Sequence, residues 1–596
     1  MLPLFACEEG VGGRSNGEEQ QVIFNDQAIV NRPQKGMRYM KAQTISTLIL
    51  MTAGALAPAL ASAQAVPDAG TFIRELETAP VSERERADEA QIDLPEAAPI
   101  TEATASEGVA VQVNGFTVTG NEAFDSATLE RLVADFNGRQ LTLGELQQAA
   151  NRITRHYREH GYFLARAYLP QQDVSGGIVA IAVLEGRLGQ IDLTNQSRTR
   201  DFVIERPLKS LQSGQMLRAR DFETPLLRLS DLPGIEVSTT LAPGSETGTS
   251  DLNVQVTPGP LLQGTVELDN YGNPYIGEYR LGASLRVNSP FGLGDRFDLR
   301  ALGSDEEQVF FRAQYALPVG PWATELGAAY SDMDYELGDE FAEIGATGNA
   351  QIVTAFARQS FIRTRGYNLE AQLQYDHKSL EDSIEQFASV SEKSSELYTL
   401  TVMGDWRDDL GGGAITRYAL AYTRGDLTLD SYLDQVIDGV TAQTAGSFNR
   451  WMPSLMRLQN LGSNWSLYAQ IHGQFANKNL DSSEKFSLGG AYGVRAYAQG
   501  EATGDEGWLA NVELRYDINR QWQVYALLDH GEVERNKKPW DPAVDNDRSL
   551  SGAGIGARWG VGPFHLNATL ATPIGSEDAT VDDSDPRLFA KLVYSF

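Results

Sequence analysis

The C-terminal part of the chain repeats segments in which apolar and polar side chains alternate. Residues 465–472 (WSLYAQIH) and 279–288 (YRLGASLRVN) are examples, separated from their neighbours by turn residues. Alternation gives a strand one apolar and one polar face, which is typical of outer-membrane strands between lipid and a wet lumen. Because an open sheet edge would leave backbone groups unpaired in lipid, the pattern predicts a closed transmembrane β-barrel over residues 261–596.

The barrel is expected to have sixteen antiparallel strands. Its connections alternate between short turns, such as TRG and LGS, and longer segments, such as residues 475–506. Short turns are typical of the periplasmic side and long loops of the outside, and an even strand count leaves both chain ends periplasmic. The expected strands are 261–269, 276–288, 295–303, 306–316, 323–332, 350–362, 366–378, 394–407, 414–424, 445–458, 463–474, 507–517, 521–530, 550–559, 563–571 and 587–596.

Two smaller α+β units precede the barrel, and both have the order β-α-α-β-β. Helical spacing of apolar residues and glycines at element ends define them. The first, residues 111–186, is expected to contain strand 113–118, helices 121–136 and 142–160, and strands 162–169 and 177–184. The second, residues 187–260, is expected to contain strand 188–193, helices 200–208 and 219–229, and strands 234–241 and 251–257.

The N-terminal region carries the pattern of a secretory signal. Arg38 and Lys41 precede an apolar run that ends in Ala61-Ser-Ala, so residues 1–63 are interpreted as an upstream extension and a signal peptide. Translation can start at Met1 or Met37. The single cysteine, Cys7, falls in the extension, so the mature chain is expected to have neither disulfides nor thiolate metal sites.

Residues 64–110 are acidic and rich in Ala and Pro, and form the next segment. Residues 69–79 (AGTFIRELETA) have an apolar stripe that predicts a short helix followed by a linker, although a disordered tail fits the composition as well.

Charge and motif content exclude several classes of function. The formal net charge of the 596 residues is -31, whereas phosphate binding needs a basic face, so nucleic acid is not an expected partner. The sequence has no HExxH, GxSxG or Walker motif, and no enzymatic activity, cofactor or metal is expected. His156 and His160 share one helical face without an acidic third ligand, and are expected to be solvated helix residues.

The first α+β unit contains the stretches GY (161–162), YLPQQD (168–173) and VLEGR (183–187). Through them it resembles the first polypeptide-transport-associated (POTRA) domain of two-partner secretion transporters. LLRLSDLPG (226–234) resembles part of the second POTRA domain. The resemblance implies that residues 111–258 capture an extended substrate, and strand addition to a sheet edge is a physically reasonable way of doing so. The residues expected in the capture region are Gly161, Tyr162, Leu169, Pro170, Gln172, Glu185 and Gly186.

Arg495 and Asp529 are the two residues for which the sequence suggests a mechanism, an ion pair that holds a loop in place. The alternation of strand 521–530 points Asp529 into the lumen, and Arg495 lies in the long loop before the neighbouring strand. If that loop folds inward, guanidinium and carboxylate can meet and lock it.

The stretch GGAYGVRAYAQGEATGDEGW (489–508) resembles the VRGY/F loop motif of the same transporters, and LLDHG (527–531) resembles their strand motif. By this resemblance Val494, Arg495 and Tyr497 form the loop tip, and Asp529 and Gly531 anchor it. Ala496 replaces the family's glycine, which would be costly if the position needs a positive φ.

The final strand alternates and ends in Tyr594-Ser-Phe596. This resembles the recognition signal of outer-membrane barrels, which implies contact with the barrel assembly machinery during biogenesis.

The family resemblance implies an outer-membrane transporter with periplasmic POTRA domains. Such a protein binds one large secreted protein, a haemolysin or an adhesin, and passes it unfolded through the barrel without nucleotide hydrolysis. Residues 69–79 would plug the pore. Two alternatives stay open at this point: a factor that assembles other barrels in the membrane, and a passive porin, for which the tandem domains would be needless.

Overall fold

The structure, a computed structural model, describes residues 66–77 and 110–596, except positions 323, 543 and 576. The interpretations of residues 1–63 and of the linker concern residues outside these ranges. Within the described ranges, no helix is long and apolar enough to cross a bilayer.

The first α+β unit, called the first module, differs from its predicted elements at four places, one of which is an additional strand at Arg139–Leu141. The predicted strand 113–118 is broken at Asn114, whose N–H donates to the Gly177 carbonyl at 2.6 Å. The two halves therefore pair with different segments, residues 111–113 with residues 139–141 and residues 115–119 with residues 178–182. The helix predicted from residue 121 begins only after Asp125, which caps it. The predicted strand 162–169 shrinks to three residues because residues 162–165 continue the turn after the preceding helix.

The elements of the first module are β1 (Val111–Val113), β2 (Gly115–Thr119), α2 (Ser126–Leu132), β3 (Arg139–Leu141), α3 (Leu143–Glu159), β4 (Arg166–Tyr168) and β5 (Ile178–Leu184). Helix α3 begins with a capping box in which Thr142 and Glu145 each bond the other's backbone N–H. Its end is set by Gly161, whose φ of 89° suits glycine. The apolar face of α3 packs on the sheet of order β2-β5-β4.

Residues 187–258 form the second module, which has its own apolar core. Its elements are β6 (Arg187–Asn195), α4 (Asp201–Leu208), α5 (Ala219–Ser230), β7 (Ile235–Pro243) and β8 (Thr249–Pro258), with sheet order β6-β8-β7. Arg218 Nη2 donates to the Tyr162 hydroxyl of the first module at 2.9 Å. On the other side, Arg363 at the barrel's base contacts Asp231 at 2.8 Å. The second module therefore connects the first module to the barrel.

Sixteen antiparallel strands form a closed barrel, as predicted, with β26 pairing back to β9. The strands are β9 (Leu262–Asp269), β10 (Arg280–Asn288), β11 (Arg296–Ser304), β12 (Val309–Val319), β13 (Thr324–Glu336), β14 (Ala346–Arg363), β15 (Tyr367–Ile384), β16 (Ser389–Asp408), β17 (Ala414–Leu429), β18 (Gly446–Gly462), β19 (Trp465–Ala476), β22 (Glu506–Asp517), β23 (Trp522–Glu534), β24 (Asp547–Val561), β25 (Phe564–Pro573) and β26 (Arg587–Ser595).

Several strands continue far into the predicted outer loops. The predicted loop 379–393 is mostly strand, because β15 reaches Ile384 and β16 begins at Ser389. Above the lipid the outward face of a strand no longer has to be apolar, so the alternation expected for lipid contact stops although pairing continues. Three further elements occupy the outer side: helix α6 (Tyr432–Val440) and the short hairpin of β20 (Phe486–Ser487) with β21 (Thr503–Gly504).

Candidate functional site

Loop L6, defined as residues 477–505 between β19 and β22, folds back against the luminal wall. Leu488, Val494 and Tyr497 are buried. They pack against wall side chains that include Tyr525 and Leu527 of β23. The tight path requires glycine at 493, where a Cβ would lie 1.9 Å from the Leu488 carbonyl oxygen. The glycine-rich sequence thus lets this loop fill the barrel.

Arg495 is fixed at the tip of L6 by two carboxylates of the wall. Its Nη2 lies 2.7 Å from Asp529 Oδ1, and its Nε donates to Asp529 Oδ2 at 2.9 Å. The Arg495 backbone N–H donates to the same Oδ2 at 3.1 Å. Its Nη1 donates to Glu513. The bidentate geometry is that of a strong charge-assisted pair.

The two carboxylates have further partners, so Arg495 sits in a larger cluster, here called the L6 cluster. Asn511 donates to Asp529 Oδ1 at 2.8 Å. Glu513 also accepts from Arg515 at 2.8 Å and from Arg558 at 2.9 Å. Burial by itself would lower the pKa of Arg495, but hydrogen bonds and the charges of Asp529 and Glu513 prevail and raise it. Arg495 is therefore a permanent cation.

Sequence reasoning missed Glu513, Arg515 and Arg558, although a signal was present. Glu513 and Arg515 alternate with the lipid-facing side chains of β22, so both occupy luminal positions. Charges at luminal positions of neighbouring strands could have been proposed as partners of Arg495.

Ala496 is not strained. Its φ is not positive, so alanine carries no backbone penalty here. Instead its methyl group approaches Gly552 on β24, where an added Cβ would lie 2.7 Å away. The side chain therefore occupies space that a glycine on the wall leaves open.

The remaining motif residues have packing roles in the structure. Tyr497 is buried, and its hydroxyl donates to the Glu577 carbonyl at 3.3 Å. At Gly531, a Cβ would lie 2.6 Å from Leu488. The functional roles of Val494, Arg495, Tyr497, Asp529 and Gly531 in transport stay predictions.

A second luminal element, helix α1 (Ala69–Glu77), lies within the barrel. Phe72 and Ile73 are fully buried and pack in one cluster with wall residues such as Tyr335 and Met333. The rings of Phe72 and Tyr335 are 4.8 Å apart in an edge-on arrangement. Residues 78 and 79 of the predicted helix lie outside the described residues.

Both ends of α1 carry ion pairs that the sequence alone did not reveal. At the outer end, Lys393 of β16 contacts Asp68 at 2.7 Å and Asp481 of L6 at 2.9 Å. At the other end, Lys378 of β15 contacts Glu77 at 2.9 Å and Glu484 of L6 at 3.0 Å. Each lysine therefore bridges the helix and L6.

The acidic group at the outer end of α1 is strongly stabilised as a carboxylate. Burial by itself would raise the pKa of Asp68, but the Lys393 charge and hydrogen bonds from Lys393 and Ser482 lower it to about 2. Asp68 is therefore ionised throughout the physiological range, and its pairing with Lys393 persists.

The residues predicted to capture substrate are largely internal to the first module. Glu185 is buried and accepts from the backbone N–H groups of Glu122 and Ala123 at 2.7 and 2.8 Å, and from the Tyr157 hydroxyl at 2.7 Å. Gln172 bonds both backbone groups of Ala180, at 2.6 and 2.7 Å.

The other members of this set also have local roles. Tyr162 is buried and bonds Arg218. Gly161 and Gly186 have positive φ. Leu169 and Pro170 are half-buried beyond β4. The structure thus gives these residues folding roles, and their part in capture stays a prediction.

His156 is less solvated than expected, whereas His160 is exposed as expected. The rings of His156 and His160 lie 4.3 Å apart, and both pack against Phe124 at about 5 Å. Desolvation, and to a lesser extent the His160 charge, lowers the pKa of His156. Among the described residues, no group of His, Cys, Asp and Glu side chains is arranged to hold a metal ion.

The C-terminal residues complete the barrel wall. Phe596 exchanges two backbone hydrogen bonds with Gly264 of β9, each 2.9 Å long. Its ring stacks on that of Tyr594, and both rings are exposed on the outside of the wall. Their role as a recognition signal stays a prediction.

A closed barrel that holds a helix and an inward loop, and that follows two small α+β modules, has the architecture of an outer-membrane transport protein. A family model described as "Haemolysin secretion/activation protein ShlB/FhaC/HecB" matches residues 248–559, just over half of the chain. A model for the ShlB-type POTRA domain matches residues 111–186. The chain belongs to the ShlB/FhaC/HecB family of haemolysin secretion/activation proteins.

Curated relatives agree with this membership. The heme/hemopexin transporter protein HuxB of Haemophilus influenzae (strain 86-028NP) is 27% identical over 478 residues, 79% of this chain and 84% of the relative. The outer membrane transporter CdiB of Dickeya dadantii is 24% identical over 449 residues, 72% of this chain and 77% of the relative. The chain is accordingly an outer-membrane transporter of the two-partner secretion type, and the assembly-factor and porin alternatives are not favoured.

Solved structures support the fold. CdiB from Escherichia coli aligns with a TM-score of 0.66 at 20% identity, covering 94% of this chain and 100% of that structure. BamA from Haemophilus ducreyi lacking POTRA domains 1–3 aligns with a TM-score of 0.51 at 15% identity, covering 81% of this chain and 100% of that structure.

Proposed function

We propose that this transporter secretes one large partner protein, a haemolysin or an adhesin, which its two modules bind in the periplasm and its barrel passes unfolded. No nucleotide hydrolysis or other enzymatic step takes part, and folding of the partner outside supplies the driving force. The relatives named as transporters, among them a heme/hemopexin transporter, support a secreted protein as the partner.

One observation carries this proposal: an edge strand suited to bind a chain lies in a module fixed to the barrel's base. Strand β7 has nine residues and pairs on one side only, with β8, among the strands described. An edge strand can bind an extended polypeptide through backbone hydrogen bonds. This mode of binding depends little on the sequence of the polypeptide. The contacts of Asp231 with Arg363 and of Glu223 with Arg365 hold this module beside the pore.

Deleting residues 111–258 tests the proposal. Export of the partner should be lost, whereas the barrel should remain folded in the outer membrane, as judged by its heat-modifiable migration in gels. Unimpaired export would overturn the capture role of the modules.

A charge exchange provides a finer test with its own control. Asp231→Arg should reduce export by separating module and barrel, and adding Arg363→Asp should restore part of it. Equal export by all variants would show that module docking does not matter.

A further inference from the structure

Helix α6, in the outer loop between β17 and β18, presents an apolar stripe to solvent. Tyr432 and Val440 at its ends are 82% and 77% exposed. Between them, Leu433, Val436 and Ile437 are 62%, 46% and 50% exposed. These positions fall at i, i+1, i+4, i+5 and i+8, which places them on one side of a helix. Contiguous exposed apolar side chains of this kind are typical of an interaction site.

The opposite side of α6 is tied down by its two acidic residues. Ser431 caps the helix, and Asp434 accepts from the Ser391 hydroxyl of β16 at 2.7 Å. Asp438 accepts from the Thr444 backbone N–H and hydroxyl, both at 2.7 Å. Both carboxylates are therefore engaged on the anchored side, and the exposed stripe is uncharged.

The anchor also fixes the direction in which the stripe points. Ser391 has the same strand parity as Lys393, whose side chain reaches α1 inside the barrel, so Ser391 lies on the luminal face near the outer end of β16. A helix held from this face turns its other side away from the wall and over the opening. Loop L6 lies beside it, because Asn479 Nδ2 donates to the Ala442 carbonyl at 2.6 Å.

We propose that the apolar stripe of α6 is a docking surface for the partner polypeptide as it leaves the barrel, in the form of an extended segment with alternating apolar side chains. This inference rests on the proposed function. Because α6 is anchored to the luminal face of β16, a polypeptide that leaves through the barrel passes on the same side of the wall as the stripe, whereas membrane lipid lies on the other side. The lack of free charge on the stripe fits an apolar segment rather than a basic one.

Photocrosslinking tests this surface. The full chain, in liposomes that contain lipopolysaccharide, carries benzoylphenylalanine in place of Val436. The probe is a short synthetic peptide that alternates valine with serine or asparagine and has a charged pair at each end. A second peptide with every valine replaced by serine is the probe control. The test variant is Leu433→Ser with Ile437→Ser, and the matched control is Phe387→Ser, which removes another exposed apolar side chain (68% exposed) from a neighbouring outer loop.

The valine peptide should form an adduct that the double serine variant weakens by about tenfold or more, since two half-exposed apolar contacts are lost. Phe387→Ser should capture the peptide as the parent does. An adduct with lipopolysaccharide alone, a dimer of the transporter, or equal capture of the all-serine peptide would each overturn the proposal.

Secretion of the partner by cells separates this inference from the proposed function. A chain that captures the peptide but secretes no partner would overturn the proposed function and leave the docking surface in place. A chain that secretes normally but captures no peptide would overturn the docking surface.

Discussion

Replacing Arg495 by alanine should release L6 from the wall. The change removes the bidentate contact to Asp529, at 2.7 and 2.9 Å, and the contact to Glu513. Removing one partner of a buried ion pair costs about 3–5 kcal/mol. Because Asn511, Arg515 and Arg558 still neutralise or bond the two carboxylates, the lower end applies, about 3 kcal/mol. This corresponds to about a hundredfold increase in the undocked population of L6.

Cysteine labelling measures that population directly. The predicted mature chain lacks cysteine, and Ala502 in L6 is only 5% exposed, so an Ala502→Cys thiol should react slowly while the loop is docked. With Cys7 also replaced by serine, Arg495→Ala should raise the rate of maleimide labelling on intact cells by about a hundredfold. Arg495→Lys should give an intermediate rate, because it keeps the charge but loses the forked geometry.

The matched control is Arg520→Ala, which removes an exposed arginine from a short turn at the other end of the barrel. It should label at the parental rate. Labelling of Arg495→Ala at the parental rate, with a barrel that migrates as folded, would show that the L6 cluster does not hold the loop. Secretion should fall together with docking, without unfolding of the barrel.

Three further predictions concern α1 and the first module. Gly70 lies so close to Ser482 that a Cβ at position 70 would be 2.5 Å from the Ser482 Oγ. Gly70→Val should therefore displace α1 and raise the ion conductance of the reconstituted barrel. A conductance equal to that of the parent would contradict this packing. Burial raises the pKa of Glu75 on α1 from 4.5 to about 7. The stabilisation that protonated Glu75 gives to the bound helix is therefore complete below a pH of about 4.5 and is lost as the pH rises through about 7. Conductance should therefore be higher near about pH 8 than near about pH 5, and Glu75→Gln should remove most of that difference; a steep dependence in the variant would assign it to another group. Glu185→Ala leaves two N–H groups and a hydroxyl without their acceptor, and should destabilise the first module by about 2–3 kcal/mol, measured as faster hydrogen exchange in α3 of the full chain; unchanged exchange would refute this.

The architecture of the barrel could be predicted from the sequence because lipid places two simple constraints on the chain. Each membrane-facing side chain must be apolar and each backbone group paired, so alternation recurs in strand after strand and the count of sixteen is correct. The same reasoning failed above the lipid, around Ile384 and Ser389. The outward face of the strands no longer has to be apolar there, so no alternation marks them although pairing continues.

Interactions between distant segments were the harder part to predict. Asp68 and Lys393 are separated by 325 positions, and Lys378 and Glu484 belong to different hairpins, so local patterns carry no information about their pairing. Arg495 and Asp529 could be proposed as partners because strand parity placed one side chain in the lumen and the loop between adjacent strands supplied the other. Glu185 and Gln172 were assigned to binding through a resemblance, although their contacts are those of folding residues.

The unequal strand lengths make the barrel wall taller on one side than on the other. Strand β16 has 20 residues, whereas β9 on the far side has eight. At about 3.4 Å per residue and a tilt of about 40°, β16 rises roughly 50 Å, about twice the height of the apolar band of such barrels. The excess raises one side of the rim well above the other, so the outer opening of the barrel is bounded by a tall wall at β16 and a low one at β9.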